Sequence, residues 1–224
     1  MEDASVHELI TVALDRATAS LVEPGDWLTG AQRRDAAMQA RDARTNPLDE
    51  ERRQAISPTA VDGSHSATEH LSVEAVEVIH RIASDPGRLT QSWANDMMAV
   101  LGEETYTELV GIAACTAVLD MFAFATADGD AVLGEAAAGD PAQVRPDDVG
   151  QVGAWVSQTV EGAMANVSRS LSLVPQTNRA WTGMVQALYS RGPGFLDLEW
   201  ERALSRPQVE LVAARTTAEL ECFY

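Results

Sequence analysis

Glu103-Glu104-Thr105-Tyr106-Thr107-Glu108-Leu109-Val110-Gly111-Ile112-Ala113-Ala114-Cys115-Thr116-Ala117-Val118-Leu119-Asp120-Met121-Phe122-Ala123-Phe124-Ala125 is the most apolar stretch of the chain. It is too long for a strand and is set off from the preceding segment by Gly102, so it predicts one long helix. The pattern on either side is also helical. Ser5-Val6-His7-Glu8 is a capping-box pattern, and Val6, Ile10, Ala13, Ala17 and Leu21 follow at helical spacing. Glu23-Pro24-Gly25-Asp26 breaks that helix. A second runs from near Thr29 through Arg44, with Gln32 in the box position, and a short one covers about Leu48 to Ile56. Ser72 caps a helix carrying Val76, Ile79 and Ala83 on one face, which Asp85-Pro86-Gly87 stops. One more helix lies between that stop and Gly102. Further helices are expected near 153–163 and 177–190, then the turn Arg191-Gly192-Pro193-Gly194 and a final helix. Ser57 to Glu69 reads as loop. Residues 126–152, with six acidic residues among Gly129, Gly134, Gly139, Pro141 and Pro146, read as an exposed linker. No alternating strand is legible, and the class is all-α.

The bulk composition narrows the chemistry. The 224 residues are 46% hydrophobic, enough for a substantial core, and carry a formal net charge of −18. All 16 basic residues are arginine. Without lysine there is no Schiff-base lysine and no P-loop lysine. So acidic a chain repels phosphate backbones, which argues against nucleic acid and anionic membranes as partners. No run of 18 apolar residues spans a membrane, and Met1-Glu2-Asp3 is not the basic start of a signal peptide. Two cysteines do not make a disulfide scaffold, and the expected compartment is the reducing cytoplasm.

Most clusters of chemically capable residues have a plain explanation. His65, Glu69, His70 and Glu74 fit no HExxH pattern and read as solvated loop residues, so no metal is expected. Asp128-Gly129-Asp130 with Glu135 lacks the ladder of a calcium loop. The series Arg33-Arg34, Arg41, Arg44 and Arg52-Arg53 alternates with Asp35, Asp42 and Glu50-Glu51, the pattern of a mixed solvated face. Cys115 lies in an apolar run and is expected in the core. Arg215 is placed to pair with Glu219 one turn on.

The final segment carries the sharpest signal. It reads Ser205-Arg206-Pro207-Gln208-Val209-Glu210-Leu211-Val212-Ala213-Ala214-Arg215-Thr216-Thr217-Ala218-Glu219-Leu220-Glu221-Cys222-Phe223-Tyr224, with no glycine cap, basic last turn or proline stop after it. Glu210 and Cys222 are separated by eleven residues, and two aromatic residues follow the cysteine. In this the segment resembles the core motif of the alkylhydroperoxidase D / carboxymuconolactone decarboxylase family: Glu, eleven residues, Cys, two residues, Cys, three residues, His. The second cysteine would be the next residue, so the resemblance implies a motif cut one residue short, its imidazole also beyond Tyr224. Glu108-Leu109-Val110 aligns with Glu210-Leu211-Val212; this register sets Asp120 against Cys222, and Pro86 and Trp93 echo Pro175 and Trp181. The resemblance therefore implies a helical bundle of two alkylhydroperoxidase D-like repeats, the second incomplete. They divide the chain into an N-terminal extension (1–69), a degenerate repeat (70–125), the linker (126–152) and the motif-bearing core (153–224).

By resemblance, the function is that of a cofactor-free thiol-dependent peroxidase or disulfide oxidoreductase. Cys222, Glu210 and Tyr224 are its candidate catalytic positions, a hydroperoxide its substrate and a separate dithiol its reductant, within a homo-oligomer. A thiolate attacks the peroxide to give a sulfenic acid, which the neighbouring thiol resolves to a disulfide. On one straight helix Glu210 and Cys222 would lie roughly 18 Å apart along the axis, so the helix is expected to break near Glu219-Leu220-Glu221. The chain as it stands is expected to show no peroxidase turnover and poor solubility. Two rivals are a decarboxylase- or lactonase-like enzyme acting on a small organic acid and a helical interaction module without chemistry.

Overall fold

The computed structural model describes residues 6–126, 129–162, 166–189 and 203–219. The fold is all-α around one central helix. In chain order the elements are α1 (Val6–Ser20), α2 (Gly30–Asp42), α3 (Pro47–Gln54), α4 (Val73–Ser84), α5 (Gln91–Leu101), α6 (Glu103–Ala125), α7 (Asn166–Arg169), α8 (Pro175–Leu188) and α9 (Arg206–Glu219). A two-residue antiparallel ladder joins β1 (Val149–Gly150) to β2 (Gln158–Thr159).

Local chemistry sets the helix starts. Thr29 and Gln32 form a reciprocal capping box on α2. Asn46 accepts from the Leu48 amide with Pro47 in the first turn of α3, Ser72 accepts from Ala75 on α4, and Thr90 accepts from Trp93 on α5. Gly102, at φ 84°, makes the corner between α5 and α6 in a conformation that favours glycine.

α6 is apolar on nearly all sides because it is surrounded: α1, α2, α4, α5 and α8 all pack on it. Leu109, Ile112, Cys115 and Leu119 of α6 meet Ala36, Ala37 and Ala40 of α2 and Val76 and Ile79 of α4 in a single core. Burial of each of the leucine, isoleucine and valine side chains contributes about 1.5–3 kcal/mol. Among the described residues α6 is the one helix long and apolar enough to cross a membrane, but its position is that of a core helix. Ala83, expected on the buried face of α4, is exposed.

Two stretches depart from expectation. The helix predicted near 153–163 is absent; β2 lies there instead. Gly153 and Gly162 adopt positive φ, the Thr159 hydroxyl bonds Asp148, and the Ser157 amide donates to Glu103, so local polar partners outcompete helical ones. The segment after α6 is irregular and mostly exposed, as predicted, but it is tied down rather than free. Ala131 and Leu133 pack against the core, Ala137 N donates to Val22 O at 2.7 Å, and Gln143 N donates to Asp26 O at 2.7 Å.

Candidate functional site

Among the described residues, four polar centres bear on function, and three of them are buried. The first joins the α1–α2 loop to α6. Glu108, fully buried, accepts the amides of Asp26 (3.2 Å), Trp27 (2.5 Å) and Leu28 (3.1 Å) and pairs with the buried Arg33. Burial pushes the Glu108 carboxyl upward, against the pull of Arg33 and the Trp27 amide. The Asp26 side chain accepts the amides of Gln176 and Thr177, both at 3.0 Å, and thereby caps α8 from a distant part of the chain. Arg33 also donates to Ser20 O at 2.8 Å and to Thr177 Oγ1 at 3.0 Å. A Cβ on Gly25 would collide with Glu108 and Arg33, which explains the glycine at this close approach.

The second centre is Asp120. It accepts two bonds from Arg41, at 3.0 and 2.8 Å, pairs with Arg44, and accepts the Ala131 amide at 3.1 Å.

The third centre gathers α3, the loop after it and α4. Asp49 Oδ2 lies 2.6 Å from His80 Nδ1 and 3.4 Å from His65 Nε2, and the two imidazole rings, tilted by 34°, have centroids 3.9 Å apart. Glu77 accepts from Arg52 at 2.7 Å and faces His65 Nδ1 at 2.6 Å. Burial alone would raise Asp49 and lower His65, but their mutual attraction wins. Asp49 is held well below the usual carboxylate range, and Asp49 and Glu77 together push His65 up to about 9.

The arginine series and His65 thus correct the sequence reading. Arg33, Arg41 and Arg52 face inward to carboxylates, and His65 is buried rather than solvated. It joins Asp49 and His80, while His70 and Glu69 stay exposed. Asp49 and His80 carry no local motif. Their only signal is helical spacing: Asp49 sits on one face of a short helix and His80 beside Val76 and Ile79.

The fourth centre is the motif carboxylate. Glu210 lies in the second turn of α9, partly exposed, where it accepts from the Tyr189 hydroxyl at 2.8 Å and from Arg206 Nε at 2.8 Å. The tyrosine, and then the arginine, hold Glu210 below its usual range, while the Glu210 carboxylate raises the Tyr189 phenol. At neutral pH this is an ionised acceptor hydrogen-bonded to a neutral hydroxyl. α9 is continuous through Glu219; Cys222 and Tyr224 lie outside the described residues. Cys115 is buried in α6, and burial pushes its thiol up to about 12, as expected of a packing cysteine. Arg215 pairs with Glu219 on the surface, also as expected.

An apolar recess of about 300 Å³ lies between α6, α8 and the 154–158 segment, lined by Tyr106, Val110, Trp155 and Trp181 among others. Its lining supplies contact area, with the Tyr106 phenol as the one titratable group. No protein-family model, no curated protein and no solved structure matches this chain.

Proposed function

We propose that this chain carries the nucleophile, Cys222, and the proton acceptor, Glu210, of a thiol-dependent peroxidase or disulfide oxidoreductase of the alkylhydroperoxidase D-like kind, and that by itself it does not turn over. The supporting observation is the contrast between the two aligned glutamates. Glu108 is fully buried and held by Arg33 and three amides. Glu210 is ionised, partly exposed and hydrogen-bonded to a hydroxyl, so it is open to proton exchange, with Tyr189 and Arg206 lowering its basicity. Tyr224 is the third position that the resemblance assigns to this chemistry.

In the reaction the Cys222 thiolate attacks one oxygen of a hydroperoxide. The S–O bond forms, the O–O bond breaks and the alkoxide leaves with a proton as the alcohol, so the sulfur is oxidised to a sulfenic acid. A second thiol then condenses with it, releasing water, and a separate dithiol reduces the disulfide. The unbroken helix through Glu219 keeps Glu210 about 13 Å along the axis from that residue, so the approach of Glu210 to the thiol requires a turn beyond it or a second copy of the chain.

The test is a single turnover. The full chain is treated with a stoichiometric hydroperoxide in the presence of dimedone, and the adduct is mapped by mass spectrometry. Cys222 is expected to carry the adduct and Cys115 none, and Glu210→Gln is expected to slow labelling and displace its pH profile upward. Labelling of Cys222 no faster than that of an unstructured peptide thiol, or indifferent to Glu210→Gln, refutes the proposal.

A further inference from the structure

We propose that Asp49, His65 and His80 form a binding site for one divalent transition-metal ion of the zinc type, which clasps α3, the 61–72 segment and α4 together. Each of the three residues brings one donor atom within 4.8 Å of the others, and all three are buried; Asp49 Oδ2 lies 2.6 Å from His80 Nδ1 and 3.4 Å from His65 Nε2. His65 Nε2 is sealed from solvent and makes no hydrogen bond; it points at the Asp49 carboxylate from 3.4 Å. Only 5% of the His65 side chain is exposed, so water does not satisfy that nitrogen.

The outer contacts have the form that orients metal ligands. The far nitrogen of His65 meets Glu77 Oε2 at 2.6 Å, and the far nitrogen of His80 meets Gln39 Oε1 at 3.0 Å. The far oxygen of Asp49 accepts from Ser84 Oγ at 3.3 Å. Glu77 is itself held by Arg52. With each outer oxygen accepting a hydrogen bond from the N–H of its ring, the inner nitrogen is left to present a lone pair to a cation. The two imidazole rings lie with centroids 3.9 Å apart, so that one nitrogen of each faces the same carboxylate oxygen.

The donor set selects the ion. Two imidazoles and one carboxylate suit zinc, cobalt or nickel, whereas magnesium and calcium require oxygen ligands. Zinc bonds of about 2.0–2.1 Å in a tetrahedron separate the ligand atoms by about 3.3 Å. The Asp49–His65 edge is already at 3.4 Å, and the Asp49–His80 edge, at 2.6 Å, opens by about 0.7 Å.

The experiment uses untagged, chelator-stripped full-length protein. Calorimetric titration with zinc is expected to show one strong site, cobalt loading to give the intense visible bands of a tetrahedral ion, and X-ray absorption of the zinc form to show two imidazole shells. Glu77→Gln, which leaves all three ligands, is expected to weaken binding about 10- to 100-fold. His65→Asn is expected to abolish the strong site. Many weak equivalents, equal in the wild type and in His65→Asn, would show that zinc meets only the surface carboxylates and would overturn the proposal. An absorption spectrum without imidazole scattering would overturn it too, and that measurement needs no variant to fold.

Discussion

Replacing Glu108 with alanine tests whether the first polar centre holds the bundle together. The carboxylate occupies a closed cage in which Arg33 and the amides of Asp26, Trp27 and Leu28 all donate to it. Truncation orphans three amides, each costing about 1–3 kcal/mol when unsatisfied, and strands a buried guanidinium. Water entering the vacated space returns part of this, and Arg33 keeps its bonds to Ser20 O and Thr177 Oγ1. The net loss is then about 3–5 kcal/mol, the range for breaking one side of a buried ion pair. In a domain of this size that lowers Tm by about 6–20 °C. Urea unfolding followed by far-ultraviolet circular dichroism measures it. Glu108→Gln, which keeps the shape and one acceptor, should lose about 1.5–3 kcal/mol. Adding Arg33→Ala to Glu108→Ala should cost far less than Arg33→Ala alone, because the two share one interaction. A Glu108→Ala loss below about 1 kcal/mol, or simple additivity with Arg33→Ala, refutes the cage as a stabilising unit. Glu210→Ala, in the partly exposed counterpart, should leave Tm unchanged within error.

Gly25→Ala should destabilise by about 1–3 kcal/mol, since its methyl group has only Glu108 and Arg33 to displace; unchanged urea unfolding would show that the loop moves freely. Cys115 should resist iodoacetamide in the native protein at pH 8 and react on unfolding. Its folded pKa of about 12 exceeds the ordinary value of 9.0, so the unfolded chain ionises first as pH rises. Cys115 therefore subtracts up to about 1.4 kcal/mol per pH unit above 9, and Cys115→Ala should flatten that decline in alkaline unfolding curves. Arg41→Lys should cost about 1–3 kcal/mol despite preserving charge, because an ammonium cannot reproduce the two-pronged contact with Asp120; an equal Tm in the two proteins would count against that geometry.

The helices were legible where sequence and tertiary context agree. Thr29 with Gln32, Ser72, and Gly102 are local devices whose partners lie within a turn, so the chain announces them without long-range information. The polar centres were not legible in this way. Asp49 and His80 are 31 residues apart and Glu108 and Trp27 are 81 apart, and nothing in either segment marks the other. The arginine series misled for a related reason. Alternating charges along α2 and α3 look like a solvated face, and only the position of α6 and α4 turns Arg33, Arg41 and Arg52 inward. Residues 153–163 failed as a helix because Ser157, Thr159 and two glycines find nearer hydrogen-bond partners than a helix offers.

The exclusive use of arginine has a structural reading here. Arg41 bonds both oxygens of Asp120 and also Ala131 O at 2.5 Å; Arg52 joins Glu77 to Gly63 O at 3.0 Å; Arg33 spans Glu108, Thr177 and Ser20 O. Arg88 holds Asp85 and donates to the last carbonyls of α3, at Ala55 (2.6 Å), Arg52 (2.9 Å) and Arg53 (3.0 Å). In each case one planar guanidinium serves several acceptors from separate elements, which the single ammonium of lysine cannot do from one rotamer. The irregular segments between helices offer exposed carbonyls, and the helices offer buried carboxylates. A residue that binds both at once fastens the loops to the core, so a chain with long irregular connections retains one arrangement of its helices.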